Sequence, residues 1–330
     1  MNNKIFISDK ELKTYGSTDT LSDEAISLLL HQKNNWELVR SNFQNLEQIK
    51  TKDFNFDDYK IKVQFNPSRI VSSSAKVDKK TIKDRACFLC EENLPDVQKG
   101  IKYKDDYVIL INPFPIFKQH LTIPHLKHTP QNIENSIEDL LDIAYDLRDN
   151  FFVFYNGPKC GASAPDHLHF QAGLKNSTPI EINYKYFAEY FGRELFSQNN
   201  SKVVAVNHQL NRFFFFEAKE KSELVKLFID VVNQLKKLST SKEEPLMNII
   251  STYTENSWKV FLFPRKLHRP KQFFAEDDSK ILFSPAAVDM AGLCITPQEK
   301  DFNKITNEDL VDMFEQVMCD SFTIENLQIL

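Results

Sequence analysis

No window of this 330-residue chain approaches the roughly 18 consecutive apolar residues that a membrane helix needs. Met1 to Ser8 lack the long apolar run of a signal peptide. The two absences lead us to expect a cytoplasmic protein without a membrane partner. Positive charge is not in excess either: 41 lysines and arginines stand against 46 aspartates and glutamates, a formal net charge of −5. That balance disfavours nonspecific nucleic-acid binding, while a local basic pocket for phosphates stays allowed. The cysteines number five, an odd count that does not suit a secreted disulfide framework, so Cys87 and Cys90 read as reduced thiols or ligands. Neither low complexity nor a charge block suggests disorder, and 42% hydrophobic residues can fill one large or two modest cores.

The informative stretch is Asn156 to Gln171, where a loop bearing Gly157, Gly161 and Ser163 runs into His167-Leu168-His169-Phe170-Gln171. Strand alternation places His167, His169 and Gln171 on one face and Leu168 and Phe170 on the other. A single histidine there would read as part of a satisfied polar network. Two of them after a loop of small residues, whose backbone N–H groups can approach an anion closely, read as a phosphate site with a nucleophile in it.

Around this stretch the pattern is that of an α+β protein with an antiparallel-rich sheet. Ser22 reads as the cap of a helix through Leu30, and Tyr59–Phe65, Tyr107–Asn112 and His120–Pro124 read as strands. Ile133, Ile137, Leu140, Leu141 and Ala144 mark a helix before the strand Phe151–Tyr155. Beyond Leu174 the order is a helix from Tyr184 to Phe196, strands at Val203–Val206 and Arg212–Phe216, and a helix from Ser222 to Leu238. A strand pair, Leu246–Thr254 and Trp258–Phe263, follows with its turn at Asn256-Ser257, after the polar connector Thr240 to Pro245.

His167-Leu168-His169-Phe170-Gln171 resembles the His-x-His-x-Gln motif of the transferase branch of the histidine-triad (HIT) superfamily. That branch includes galactose-1-phosphate uridylyltransferases, diadenosine tetraphosphate phosphorylases and GDP-hexose phosphorylases. Asn112-Pro113-Phe114-Pro115 with His120 to Pro124 is similar to the hairpin preceding that motif, and Cys87-Phe88-Leu89-Cys90 and Gly161-Ala162-Ser163 resemble the Cys-x-x-Cys and Gly-x-Ser segments of the uridylyltransferases. Ser257 to Arg265 and Ala287 to Gly292 look like segments of the phosphorylases. The resemblance implies a HIT-like antiparallel sheet duplicated as two halves: an N-terminal helical extension over 1–56, a catalytic half over 57–175, and a second half over 176–330 without the motif.

The resemblance further implies a nucleotidyltransferase or phosphorylase in which His169 attacks phosphorus and forms a covalent nucleotidyl-histidine, with Gln171 donating to an α-phosphate oxygen. Its partners would be a nucleotide-sugar or dinucleoside polyphosphate and, as acceptor, inorganic phosphate or a sugar 1-phosphate, in a protein that could be a homodimer. Gly161 and Ser163 would hold a phosphate, with Asn112 in the matched hairpin. Among the cations Arg69, Lys76, Arg85, Arg265 and Arg269, Arg69 and Arg265 lie in the better-matched segments. Cys87 and Cys90 supply half of a tetrahedral zinc site, which the family pattern completes with His125 and His167; His120 and His128 compete, and two buried thiols or a redox pair are the alternatives. The competing functions are a nucleotide-binding sensor without turnover and a HIT-type hydrolase. The hydrolase branch carries histidine where Gln171 stands.

Overall fold

The computed structural model describes residues 4–56, 59–74, 79–239 and 243–329. Lys76, the first three residues of the polar connector and the expected boundary at 57 lie outside them. Among the described residues thirteen strands run in chain order. They are β1 (Lys50–Phe56), β2 (Tyr59–Phe65), β3 (Gly100–Tyr103), β4 (Tyr107–Ile111), β5 (His120–Pro124), β6 (Phe151–Asn156) and β7 (His169–Leu174). Then come β8 (Gly192–Gln198), β9 (Ser201–His208), β10 (Asn211–Ala218), β11 (Met247–Thr254), β12 (Ser257–Pro264) and β13 (Leu293–Thr296).

Ten strands form one sheet in the order β3-β4-β5-β7-β6-β11-β12-β10-β9-β8. Outward from the β6–β11 seam each side uses its fourth, fifth, third, second and first strand, so the second half repeats the topology of the first. Each half also places one helix after its third strand, Ile137–Asp146 in the first and Lys221–Leu238 in the second. A smaller sheet, β1-β2-β13, joins the two ends of the chain, with β13 parallel to β2.

The large sheet is apolar on both faces, which explains strands that read as unbroken hydrophobic runs. Along β10, Phe214 and Phe216 enter a core shared with the helices Ile137–Asp146 and Lys221–Leu238. Phe213 and Phe215 enter the opposite core, with Ile180 and Phe187 of the helix Pro179–Tyr190 and Phe314 of the helix Asn307–Val317. Among the described residues, no helix is long and apolar enough to cross a membrane.

Local departures from the sequence expectations have local causes. The first long helix runs Leu21–Asn35 and is capped by Thr20, whose side chain accepts the Asp23 N–H, so Ser22 lies inside it. The stretch before 57 is not helical throughout, because β1 pairs with β2 along its whole length. The expected helix from Tyr184 to Phe196 instead spans Pro179–Tyr190, started by the Thr178–Glu181 capping box. Its last residues are β8, a mostly exposed edge strand without the alternation that would have marked it. The β11–β12 turn lies at Glu255-Asn256, both at positive φ, as a two-residue hairpin turn with the right twist requires.

Glu244, at the end of the connector, tucks inward: its carboxylate accepts the Ile133 N–H at 2.7 Å and the Tyr155 hydroxyl at 2.9 Å. Burial raises it from the ordinary 4.5 to about 7. Between these values the folded protein keeps a proton that the unfolded chain has lost, so this group's contribution is complete below pH 4.5 and disappears as pH rises through about 7. From pH 5 to 8 the wild type should therefore lose ~1–3 kcal/mol relative to Glu244→Gln, read as the difference in melting free energy. A pH-independent difference would contradict this assignment.

Candidate active site and metal corner

His169 opens β7, between β5 and β6. Leu168, Phe170 and Ala172 go into the core, while His169 and Gln171 line a cavity of about 380 Å³. Beyond the Phe154–Gln171 pair the β6–β7 ladder ends, and the side chain of Gln131 continues it. Its Oε1 accepts the His169 N–H at 2.9 Å, and its Nε2 donates to the carbonyls of His169 and Asn156 at 3.1 and 3.0 Å. Both backbone polar groups of the buried histidine are thereby satisfied.

The imidazole tautomer follows from its partners. His169 Nδ1 lies 2.8 Å from the His167 carbonyl, which only accepts, so Nδ1 carries the proton and Nε2 keeps its lone pair. Burial lowers the His169 pKa to about 4, so the ring is neutral at physiological pH. The amide of Gln171 is oriented in the same way. His120 Nδ1 accepts the Ile116 N–H at 3.2 Å, so His120 Nε2 is protonated and donates across 3.0 Å to Gln171 Oε1. Asn112 Nδ2 approaches the same oxygen at 3.4 Å. With its oxygen held, Gln171 turns its NH2 group to the cavity. Burial beside Arg69 keeps His120 near 3, so this donor pattern does not titrate near neutrality.

Gly161, Ser163, Asn112 and Arg69 line the same cavity. Gly161 has φ +92°, and a Cβ there would stand 2.7 Å from Ala286 Cβ, so only glycine fits the turn. Asn112 directs its amide to Thr122 Oγ1 at 3.0 Å and to Gln171, which makes it an orienting group more than a phosphate donor. Arg69 donates to the Phe114 carbonyl at 2.9 Å, and burial lowers it only to about 10, so it stays cationic.

Arg265 is a correction. It is buried, and all its donors are engaged by protein oxygens: Nε by the Val317 carbonyl, Nη1 by Asn248 Oδ1 and the Pro285 carbonyl, and Nη2 by the carbonyls of Leu267 and His268. Nothing remains for a phosphate. Asn248 in turn donates to Asn156 Oδ1 and to the Cys160 carbonyl, so Arg265 supports the Gly161 loop from beneath.

At the edge of the site Cys87, Cys90, His128 and His167 bring four donor atoms within 4.8 Å of one another, an arrangement that could hold a metal ion. His167 Nδ1 is 3.3 Å from Cys87 Sγ, and His128 Nδ1 is 3.1 Å from Cys90 Sγ. Each imidazole is steadied at its far nitrogen, His167 by the His125 carbonyl at 2.6 Å and His128 by Asp166 at 3.4 Å, the usual support of a metal-binding imidazole. Burial and the neighbouring Cys87 push the Cys90 thiol up to about 12, a cost that a cation between the sulfurs would remove. The fourth corner belongs to His128, not to the expected His125. His125 accepts the Lys127 N–H on its own Nδ1 and stacks edge-on against Tyr107, so it contributes its carbonyl and not its ring.

Residues 28–174 match the family described as Domain of unknown function (DUF4922), and residues 189–328 match the GDPGP1-like C-terminal domain. Among solved structures, the yeast Ap4A phosphorylase Apa2 in complex with AMP superposes with a TM-score of 0.54 at 15% identity, over 86% of this chain and 95% of that one. The same enzyme in complex with Ap4A gives a TM-score of 0.50 at 14% identity, over 86% and 97%. The chain thus shares the fold of this phosphorylase, an α+β architecture built on a large antiparallel sheet. At such identities the structural likeness concerns the fold. No curated protein matches the chain.

The roles of several residues around the site are not legible in the sequence. Gln131 sits in a loop, and its role depends on a break in a ladder that spacing does not reveal. His120 lies in the matched hairpin and competes as a metal ligand in the sequence, but its contact with Gln171 depends on the β5–β7 register. His268 and Ser284 reach the cavity from the far half, with no motif around them.

Proposed function

We propose that the protein transfers a nucleotidyl group through a phosphoramidate on His169. The observation that carries this reading is the His169 Nδ1–H to His167 carbonyl bond, which leaves the Nε2 lone pair available in a cavity shared with Gln171 and the Gly161–Ser163 loop. In the first step Nε2 attacks the α-phosphorus, the bond from phosphorus to the bridging oxygen breaks, and the leaving phosphoryl group takes the electron pair. In the second an acceptor oxygen attacks, the P–N bond breaks, and the pair returns to Nε2. The donor would be a nucleotide-sugar or dinucleoside polyphosphate, and the acceptor inorganic phosphate or a sugar 1-phosphate. The repeated strand order supports a division near residue 175 into a catalytic half and a second half that walls the cavity.

We further propose zinc for the corner of Cys87, Cys90, His128 and His167. Two thiolates and two imidazoles suit a closed tetrahedral site, whose role is structural. When bound, the ion would fix His167, whose carbonyl orients His169.

A donor screen tests the function: UDP-, GDP- and ADP-hexoses and diadenosine polyphosphates, each with phosphate or hexose 1-phosphate. Phosphate-dependent release of a nucleoside diphosphate from at least one donor is expected, and no turnover across the panel would count against it. Gln171→His should slow transfer by ~10²-fold, the usual cost of one transition-state donor, and raise the hydrolysed share. An unchanged ratio of phosphorolysis to hydrolysis would remove Gln171 from acceptor choice.

A further inference from the structure

At the foot of β7 a side chain takes the place of a strand. By the register of β6 and β7, the rung after Phe154 and Gln171 would join Asn156 to His169. The strands part there, and the Gln131 amide lies between them, bonded to the N–H and carbonyl of His169 and to the Asn156 carbonyl. That position calls for one acceptor and two donors without a charge, which among side chains of this reach only glutamine supplies. Gln131 is buried, and its segment runs beside the approach to β7. The Gln131 N–H donates to the Pro165 carbonyl at 3.2 Å, and the Leu168 N–H donates to the Thr129 carbonyl at 2.6 Å.

What holds Gln131 comes from the second half of the chain. Two residues on, the Ile133 N–H is fixed by the Glu244 carboxylate, which the Tyr155 hydroxyl of β6 also meets. The neighbouring Glu243 pairs with Lys159 of the loop 157–163. The Gly157 N–H donates to the Met247 carbonyl at 3.1 Å. The approach is close, since a Cβ on residue 157 would stand 2.7 Å from that carbonyl and 3.3 Å from Glu244 Oε1, so contact with the connector requires glycine there. Residues 243–247 therefore bear on both segments that flank His169.

We infer that Gln131 is a positioning residue for the His169 nucleophile, and that Glu244, reaching across from the second half, anchors it. The inference rests on the nucleotidyl-transfer reading and deepens it. Attack on phosphorus needs the Nε2 lone pair aimed along one line, and a displacement of about 1 Å can cost 10²-fold in rate. The ring is aimed by two fixed points, its Nδ1–H on the His167 carbonyl and the backbone of residue 169 on Gln131. Both points lie on the same three residues of backbone, so slack at residue 169 also loosens the Nδ1 bond. The other tautomer then becomes populated, and its Nε2 carries the proton and cannot attack.

Histidine 15N NMR of the full chain tests this, with turnover, donor affinity and melting measured on the same preparations. The His169 signal is assigned by its loss in His169→Ala. Wild type should show His169 as one tautomer, protonated at Nδ1. Gln131→Met should give a mixture of tautomers and lower kcat by roughly 10²-fold with donor affinity kept, and Glu244→Ala should act in the same direction by about tenfold. Glu244→Gln, whose amide oxygen can still accept the Ile133 N–H, should recover most of the rate. Glu244→Ala keeps the test valid should Gln131→Met fold poorly. A single Nδ1–H tautomer and wild-type kcat in the variants would overturn the inference, as would a lower melting temperature with no change in tautomer or kcat. A tautomer mixture in the variants of a protein that turns over no donor would overturn the functional reading and leave the positioning of His169 standing.

Discussion

Replacing His169 by alanine is expected to reduce nucleotidyl transfer by roughly 10³-fold or more, because it removes the nucleophile and not a binding contact. The fold should survive. The lost ring ends one hydrogen bond, Nδ1 to the His167 carbonyl, while the backbone of residue 169 stays clamped by Gln131. A net hydrogen bond contributes about 1 kcal/mol, small beside the stability of a sheet with two apolar faces. Donor binding should persist, since the arginines and Gln171 remain. The check is to measure donor affinity and turnover on the same preparation. Substantial transfer by the variant would contradict covalent catalysis at this residue.

Removal of zinc, or Cys90→Ser, is expected to lower the melting temperature on the order of 10 °C, the consequence of losing several kcal/mol of binding that exists only in the folded state. The corner joins Cys87 and Cys90 to His128 and to His167 at the foot of β7, so its loss frees three segments at once. Activity should fall less than in the His169 variant, because a metal here would act only through the position of the His167 carbonyl. Elemental analysis of protein purified without added metal should give close to one zinc per chain, with a chelator reproducing the fall in melting temperature. Zinc far below one equivalent and an unmoved melting curve would leave two buried thiols. His125→Gln should retain zinc and His128→Gln should lose it, which separates the two histidines.

The strand of His169 and Gln171 was legible because alternation is a local property: Phe170 goes to the core and His169 and Gln171 to the cavity, as period two requires, while His167 lies just before the strand and turns to the cysteines instead. The four consecutive phenylalanines of β10 were legible for the same reason, since a sheet covered on both faces needs no polar residue between apolar ones. The metal corner was half legible. Cys87 and Cys90 are fixed by their own spacing, but the choice between His125 and His128 depends on which ring the chain turns toward Asp166 after β5. Arg265 misled for a different reason. A cation in a matched segment looks like a phosphate ligand until the carbonyls of Val317, Pro285, Leu267 and His268 close around it, and those contacts reach up to 52 residues along the chain.

The most direct test of the account is a chemical trap of the intermediate. Enzyme incubated with an α-32P-labelled donor in the absence of acceptor, quenched and digested, should carry acid-labile, base-stable label on the peptide containing His169. Added phosphate should discharge that label as free nucleotide, and His169→Ala should carry none. No label with any donor that turns over, or label that persists in His169→Ala, would contradict a nucleotidyl-His169 intermediate.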